Sequence, residues 1–153
     1  MKSKIDQRLL DAIRMVCEKR EDVDCFEGSC GIFAVALNRF LGGEDDDEVF
    51  VGAYNTKMER KYGEHMYFHV AVLHGKILLD GTGITTRENL LACVETSGGG
   101  SARLRRTDGS DILVGTDAVT FFGRVGERAL EEEIGRVESL LGLAMETHEI
   151  DNR

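Results

Sequence analysis

Apolar residues recur at helical spacing near the start of the chain. Ile5, Leu9, Ile13 and Val16 fall on one stripe, which predicts an amphipathic helix over residues 4–19 with Ser3 as its cap. After a polar stretch, residues 20–29, the run Cys30-Gly31-Ile32-Phe33-Ala34-Val35-Ala36-Leu37 is apolar almost all round. It predicts a second helix from about Cys30 to Leu41, capped by Gly28 or Ser29 and ended by Gly42-Gly43. A helix apolar on every side belongs at the centre of a fold, so Cys30 is expected at the N-terminus of the most buried helix.

The period then changes from helical to alternating. Residues 49–54 read as a strand, residues 55–65 as a charged connection, and residues 66–73 and 76–80 as two arms of a hairpin. With His74-Gly75 as its two-residue turn, Leu73 faces Lys76 and His69 lies directly opposite Asp80, on the same sheet face. Thr85-Thr86-Arg87-Glu88 resembles a capping box opening a short helix through Leu90, Leu91 and Val94, and Ser97 to Ser101 is a glycine-rich break. A second hairpin is expected around Asp108-Gly109, with Arg103, Arg105 and Arg106 on one arm and Ile112-Leu113-Val114 on the other. From about Glu127 to Met145, Leu130, Ile134, Val137, Leu141 and Ala144 share a helical face.

These elements predict a single α+β domain over residues 1–153. The buried helix opened by Cys30 packs on a small antiparallel sheet, with N- and C-terminal helices flanking it. The length, 153 residues with 42% hydrophobic content, suits one core. The longest apolar stretch, Ile32 to Leu37, is far short of the roughly 20 residues of a membrane span, and no apolar signal core follows the first residues. A cytoplasmic location and reduced cysteines are therefore expected. The formal charge of −9, concentrated in Glu44 to Glu48 and Glu131 to Glu133, argues against a nucleic-acid partner. The apolar stripe of the last helix is compatible with a homodimer, although packing on the domain's own sheet is the simpler use.

Cys30, His69 and Asp80 look like a nucleophile, base and orienter set. A helix N-terminus lowers a thiol's pKa from its reference of ~8.5. A carboxylate opposite an imidazole holds the ring and favours its charged form. The backbone N–H of Cys30 is one candidate oxyanion donor; Ser29, His65 and Tyr67 are candidates for the second. The run Glu44 to Glu48 reads as a solvated loop, and Cys17 and Cys93 as core residues. Zinc is a competing reading, because Cys25, Cys30, His65, His69 and His74 include Cys-x4-Cys and His-x3-His spacings. The alternation from Tyr67 to Leu73 speaks against it, since the histidine spacing suits a helix.

Cys30-Gly31-Ile32-Phe33-Ala34 opening a buried helix, His69-Val70-Ala71-Val72 beginning a strand and Leu78-Leu79-Asp80-Gly81 closing the next resemble, over about residues 25–84, the papain-like cysteine hydrolases in the broad sense, including the NlpC/P60 and transglutaminase-like branches. The chain departs from the family pattern in having no tryptophan and no glutamine just upstream of the cysteine. The resemblance implies that Cys30 attacks an amide or ester carbonyl, His69 shuttles the proton and Asp80 orients the ring. It also implies a peptide, protein or amide-containing small molecule as substrate; no cofactor is expected, and loops around 55–65 and 96–102 are expected to select the substrate. The rival expectation is a non-catalytic module that keeps the fold and binds a protein partner.

Overall fold

The computed structural model describes residues 7–19, 30–62, 67–95, 101–113 and 127–151. It is an α+β fold built on a five-stranded antiparallel sheet. The strands are β1 (Phe50–Asn55), β2 (His69–His74), β3 (Ile77–Asp80), β4 (Gly83–Thr85) and β5 (Ala102–Thr107), in the order β4-β3-β2-β1-β5. The helices are α1 (Gln7–Lys19), α2 (Cys30–Phe40), α3 (Thr56–Tyr62), α4 (Arg87–Glu95) and α5 (Glu127–Asp151). No helix among the described residues is long and apolar enough to cross a membrane.

Alternation along the strands divides the apolar residues between two faces. Phe50, Val70, Val72 and Leu79 join the core formed by α1, α2 and α5, in which every residue from Gly31 to Asn38 is buried. This is the environment that an all-round apolar helix requires. Leu9, Ile13 and Val16 of α1 and Ile134, Val137, Leu141 and Ala144 of α5 turn their stripes to the same core. Leu130 is the one member of the α5 stripe whose side chain lies outside the described residues, as does Ser3. α5 packs mainly on α1 and α2. On the other face, Val51, Ala53, Ala71 and Leu78 meet Leu90 and Val94 of α4.

Several local expectations are corrected. The β2–β3 hairpin pairs His74 with Ile77, Leu73 with Leu78 and Val72 with Leu79, so its turn is Gly75-Lys76. A His-Gly turn of the I′ type demands positive φ at both residues. The observed turn needs it only at Gly75, where φ is 65°. The charged connection contains α3, capped by Asn55, whose Oδ1 accepts the Lys57 N–H at 2.9 Å. Thr86, not Thr85, caps α4, its Oγ1 accepting from Asn89 N–H at 3.1 Å. Thr85 instead ends β4, a strand the apolar pattern does not reveal.

The second hairpin does not form. Its arginine arm is β5, paired with β1 from Phe50↔Thr107 to Asn55↔Ala102. Residues 109–113 make a helical turn in which Asp108 Oδ1 accepts the Asp111 N–H at 3.0 Å. Gly109 N–H is taken by the Asp45 carbonyl at 2.6 Å, which ties this turn to the acidic loop. That loop is largely exposed and is anchored by Arg39, which bonds both Asp45 oxygens, at 2.9 and 2.5 Å, and reaches Glu131 of α5. The glycine-rich break at 97–100 and the cap candidates Gly28 and Ser29 lie outside the described residues.

Candidate active site

His69 is the first residue of β2 and faces Ala53 of β1. The preceding residue, Phe68, also donates its N–H to the Ala53 carbonyl, at 2.8 Å. The Ala53 carbonyl thus ties the chain to β1 at the point where β2 begins. From this position the His69 ring reaches across to Asp80 at the end of β3, with Nε2 and Oδ2 2.8 Å apart. The two residues are not directly opposite. The register, continued from Val72↔Leu79, sets Asp80 against Ala71 and leaves His69 as its diagonal neighbour on the same face.

Asp80 serves two groups with its two oxygens. Oδ1 accepts the Thr82 N–H at 2.9 Å and the Thr82 hydroxyl at 2.5 Å, while Oδ2 accepts from His69. The first set belongs to the turn Asp80-Gly81-Thr82-Gly83. Asp80 pairs with Gly83, whose φ of 104° closes the loop, and aspartate is favoured at the opening position because its carboxylate accepts an N–H two residues on. One side chain thus closes the turn and meets the His69 ring.

The pair is deeply buried, with His69 2% and Asp80 5% exposed. Burial is the largest single influence on the Asp80 carboxyl and pushes its pKa up. Hydrogen bonds from His69 and from the Thr82 hydroxyl and N–H, together with the charge of His69, more than offset that, so the carboxyl stays below its ordinary value. An ionised carboxylate only accepts hydrogen bonds. When His69 is neutral its proton therefore sits on Nε2, and the basic lone pair is on Nδ1. When the ring takes a second proton, the carboxylate 2.8 Å away stabilises the cation.

The backbone of Cys30 opens α2, the helix-start position expected of it; its side chain lies outside the described residues. α2 covers the Val70, Val72 and Leu79 face, whereas His69 and Asp80 share the face of Ala53, Ala71 and Leu78 that α4 covers.

Of the proposed second oxyanion donors, Ser29 and His65 are outside the described residues. Tyr67 packs against the α2 core, and its hydroxyl donates to Asp111. Burial and that hydrogen bond hold the phenol well above its ordinary pKa. Two of the three β5 arginines are engaged within the fold. Arg105 pairs with Glu59 at 2.5 Å and stacks over the Tyr54 ring at 4.4 Å, and Arg106 Nε donates to the Glu48 carbonyl at 2.5 Å; Arg103 is exposed.

Among the described residues no three His, Cys, Asp or Glu side chains converge to hold a metal ion. His69 and His74 stand at opposite ends of β2, roughly 16 Å apart at strand rise, and Cys25 and His65 lie outside the described residues. Cys17 is half-buried against the core, and the Cys93 side chain is outside the described residues. The residue that sequence reasoning missed is Thr82, although Asp-Gly-Thr-Gly is a readable turn with a hydroxyl beside its carboxylate. No protein-family model, curated protein or solved structure matches this chain.

Proposed function

We propose that this chain is a cysteine-dependent hydrolase or acyltransferase, papain-like in the broad sense, acting on an amide-type bond. Peptidase or amidase activity is the form favoured. The observation that carries the reading is the buried hydrogen bond from His69 Nε2 to Asp80, which sets the tautomer a proton-shuttling imidazole requires. Cys30 at the start of an eleven-residue buried helix supports it, since the helix terminus favours a thiolate.

In this mechanism Cys30 gives its thiol proton to His69 Nδ1, and the resulting thiolate adds to the substrate carbonyl, forming a C–S bond while the carbonyl electron pair moves to oxygen. Collapse of the tetrahedral species expels the amine, which takes a proton from His69 Nδ1. Water then attacks the acyl-enzyme as Nδ1 accepts its proton, the thiolate departs and the acid is released. In transfer, an amine replaces the water. Asp80 holds the ring through Nε2 in every step. The non-catalytic reading is favoured by the placement of the pair on the face opposite α2, where it would serve as a buried polar tie between β2 and β3.

Alkylation of the native protein by iodoacetamide across pH, with each cysteine followed by peptide mapping, separates the two. The enzyme reading expects Cys30 to react as a thiolate well below ~8.5, with His69→Ala slowing it by about tenfold or more at neutral pH. If Cys30 reacts no faster than an ordinary buried thiol and is indifferent to His69, the reading fails.

A further inference from the structure

A carboxylate on an aspartate turns easily about its last bond, because that torsion has broad and roughly twofold wells. Asp80 therefore presents Oδ2 to His69 in a fixed direction only if Oδ1 is held. The Asp80 turn by itself asks for one donor, the N–H two residues on, which every residue but proline supplies. Thr82 adds a second, its hydroxyl, on the same oxygen. Thr82 is exposed, so packing does not demand this side chain, and an exposed hydroxyl has water as an alternative partner. The buried apolar cluster described on this face is made of Val51, Ala53, Ala71 and Leu78 from the sheet and Leu90 and Val94 from α4, while the charged Arg87 and Glu88 of α4 are exposed.

We infer that Thr82 is a positioning residue, its hydroxyl and N–H together clamping Asp80 Oδ1 so that Oδ2 fixes the His69 ring. This rests on the reading of His69 as the proton-transferring group. It acts through Asp80 and touches no reacting atom.

Three variants of the full chain test it: Thr82→Val, which keeps shape and N–H but removes the hydroxyl; Thr82→Ser, which restores it; and His69→Ala as the reference. Two signals are read, solvent exchange of the His69 Nε2 proton by NMR and alkylation of Cys30 across pH. Far-UV circular dichroism confirms that each variant is folded. Thr82→Val is expected to exchange the proton about tenfold faster, the weight of one hydrogen bond to a charged group, and to slow neutral-pH alkylation about threefold or more. Thr82→Ser is expected to match the wild type within about twofold on both.

Unchanged exchange in Thr82→Val overturns the clamp. Faster exchange with unchanged alkylation, in a protein where His69→Ala does slow alkylation, leaves the enzyme reading standing and overturns the positioning role. Alkylation indifferent to His69→Ala overturns the enzyme reading itself, and the inference with it.

Discussion

Replacing Asp80 by Asn keeps the shape of the side chain and removes its charge, which isolates what the carboxylate contributes. At neutral pH Asp80 accepts three hydrogen bonds, one from His69 Nε2 at 2.8 Å and two from Thr82 at 2.9 and 2.5 Å. An amide has one oxygen to offer. If that oxygen stays with Thr82, the NH₂ group meets the Nε2 proton, and His69 must move its proton to Nδ1. If the oxygen turns to His69, the NH₂ group meets the Thr82 N–H, and a backbone donor loses its acceptor. Either way one charge-assisted bond is lost at a buried site, a cost of roughly 2–3 kcal/mol. That is a large share of a typical domain's stability and still compatible with folding.

Urea unfolding of the wild type and Asp80→Asn, followed by circular dichroism, measures the gap. Its pH dependence has a definite sign. The native Asp80 carboxyl titrates below its ordinary value of 3.8, so its contribution is full above that value and fades as pH falls through the lower native one. On account of this carboxyl the gap is expected to narrow as pH falls below about 3.8. A gap under about 0.5 kcal/mol at neutral pH, or one that persists undiminished to about pH 2.5, refutes the argument.

Gly75→Ala places a Cβ on a residue with φ of 65° and is expected to cost about 1 kcal/mol, read as a lower urea midpoint with unchanged slope; equal stability would refute the turn assignment. Arg39 bonds Glu131 at 2.8 and 2.9 Å, but the glutamate side chain is 50% exposed, so a double-mutant cycle of Arg39→Met with Glu131→Gln is expected to give a coupling of only about 0.5 kcal/mol, smaller in high salt. A coupling that is absent, or that grows with salt, would count against the pair as a tie between α2 and α5.

The face shared by His69 and Asp80 was readable even though the register was not. The turn displaced the pairing from Leu73↔Lys76 to Leu73↔Leu78, a shift of two residues on the partner strand, and side chains repeat every two residues. A slip of one would have sent Asp80 to the other face. The helices α1 and α5 were legible for a similar reason, because each turns an apolar stripe toward the core, and α2 because it is apolar almost all round. β4 and α3, three and seven residues long, are too short to carry a period and depend on Gly83 and Asn55, whose roles are local. The partner of β5 escaped because Arg103 to Arg106 resemble a solvated arm, whereas their pairing with β1 is decided by strands about fifty residues apart. The same distinction governs the candidate site. Periodicity assigns His69 and Asp80 a face, and turn chemistry joins Thr82 to them. Which helix approaches that face, and from which side, depends on long-range packing that neither signal encodes; Cys30 belongs to an element whose apolar residues meet the opposite side of the sheet. The chemistry of the pair therefore turns on what the end of β2 admits, and Cys30 alkylation reads that directly.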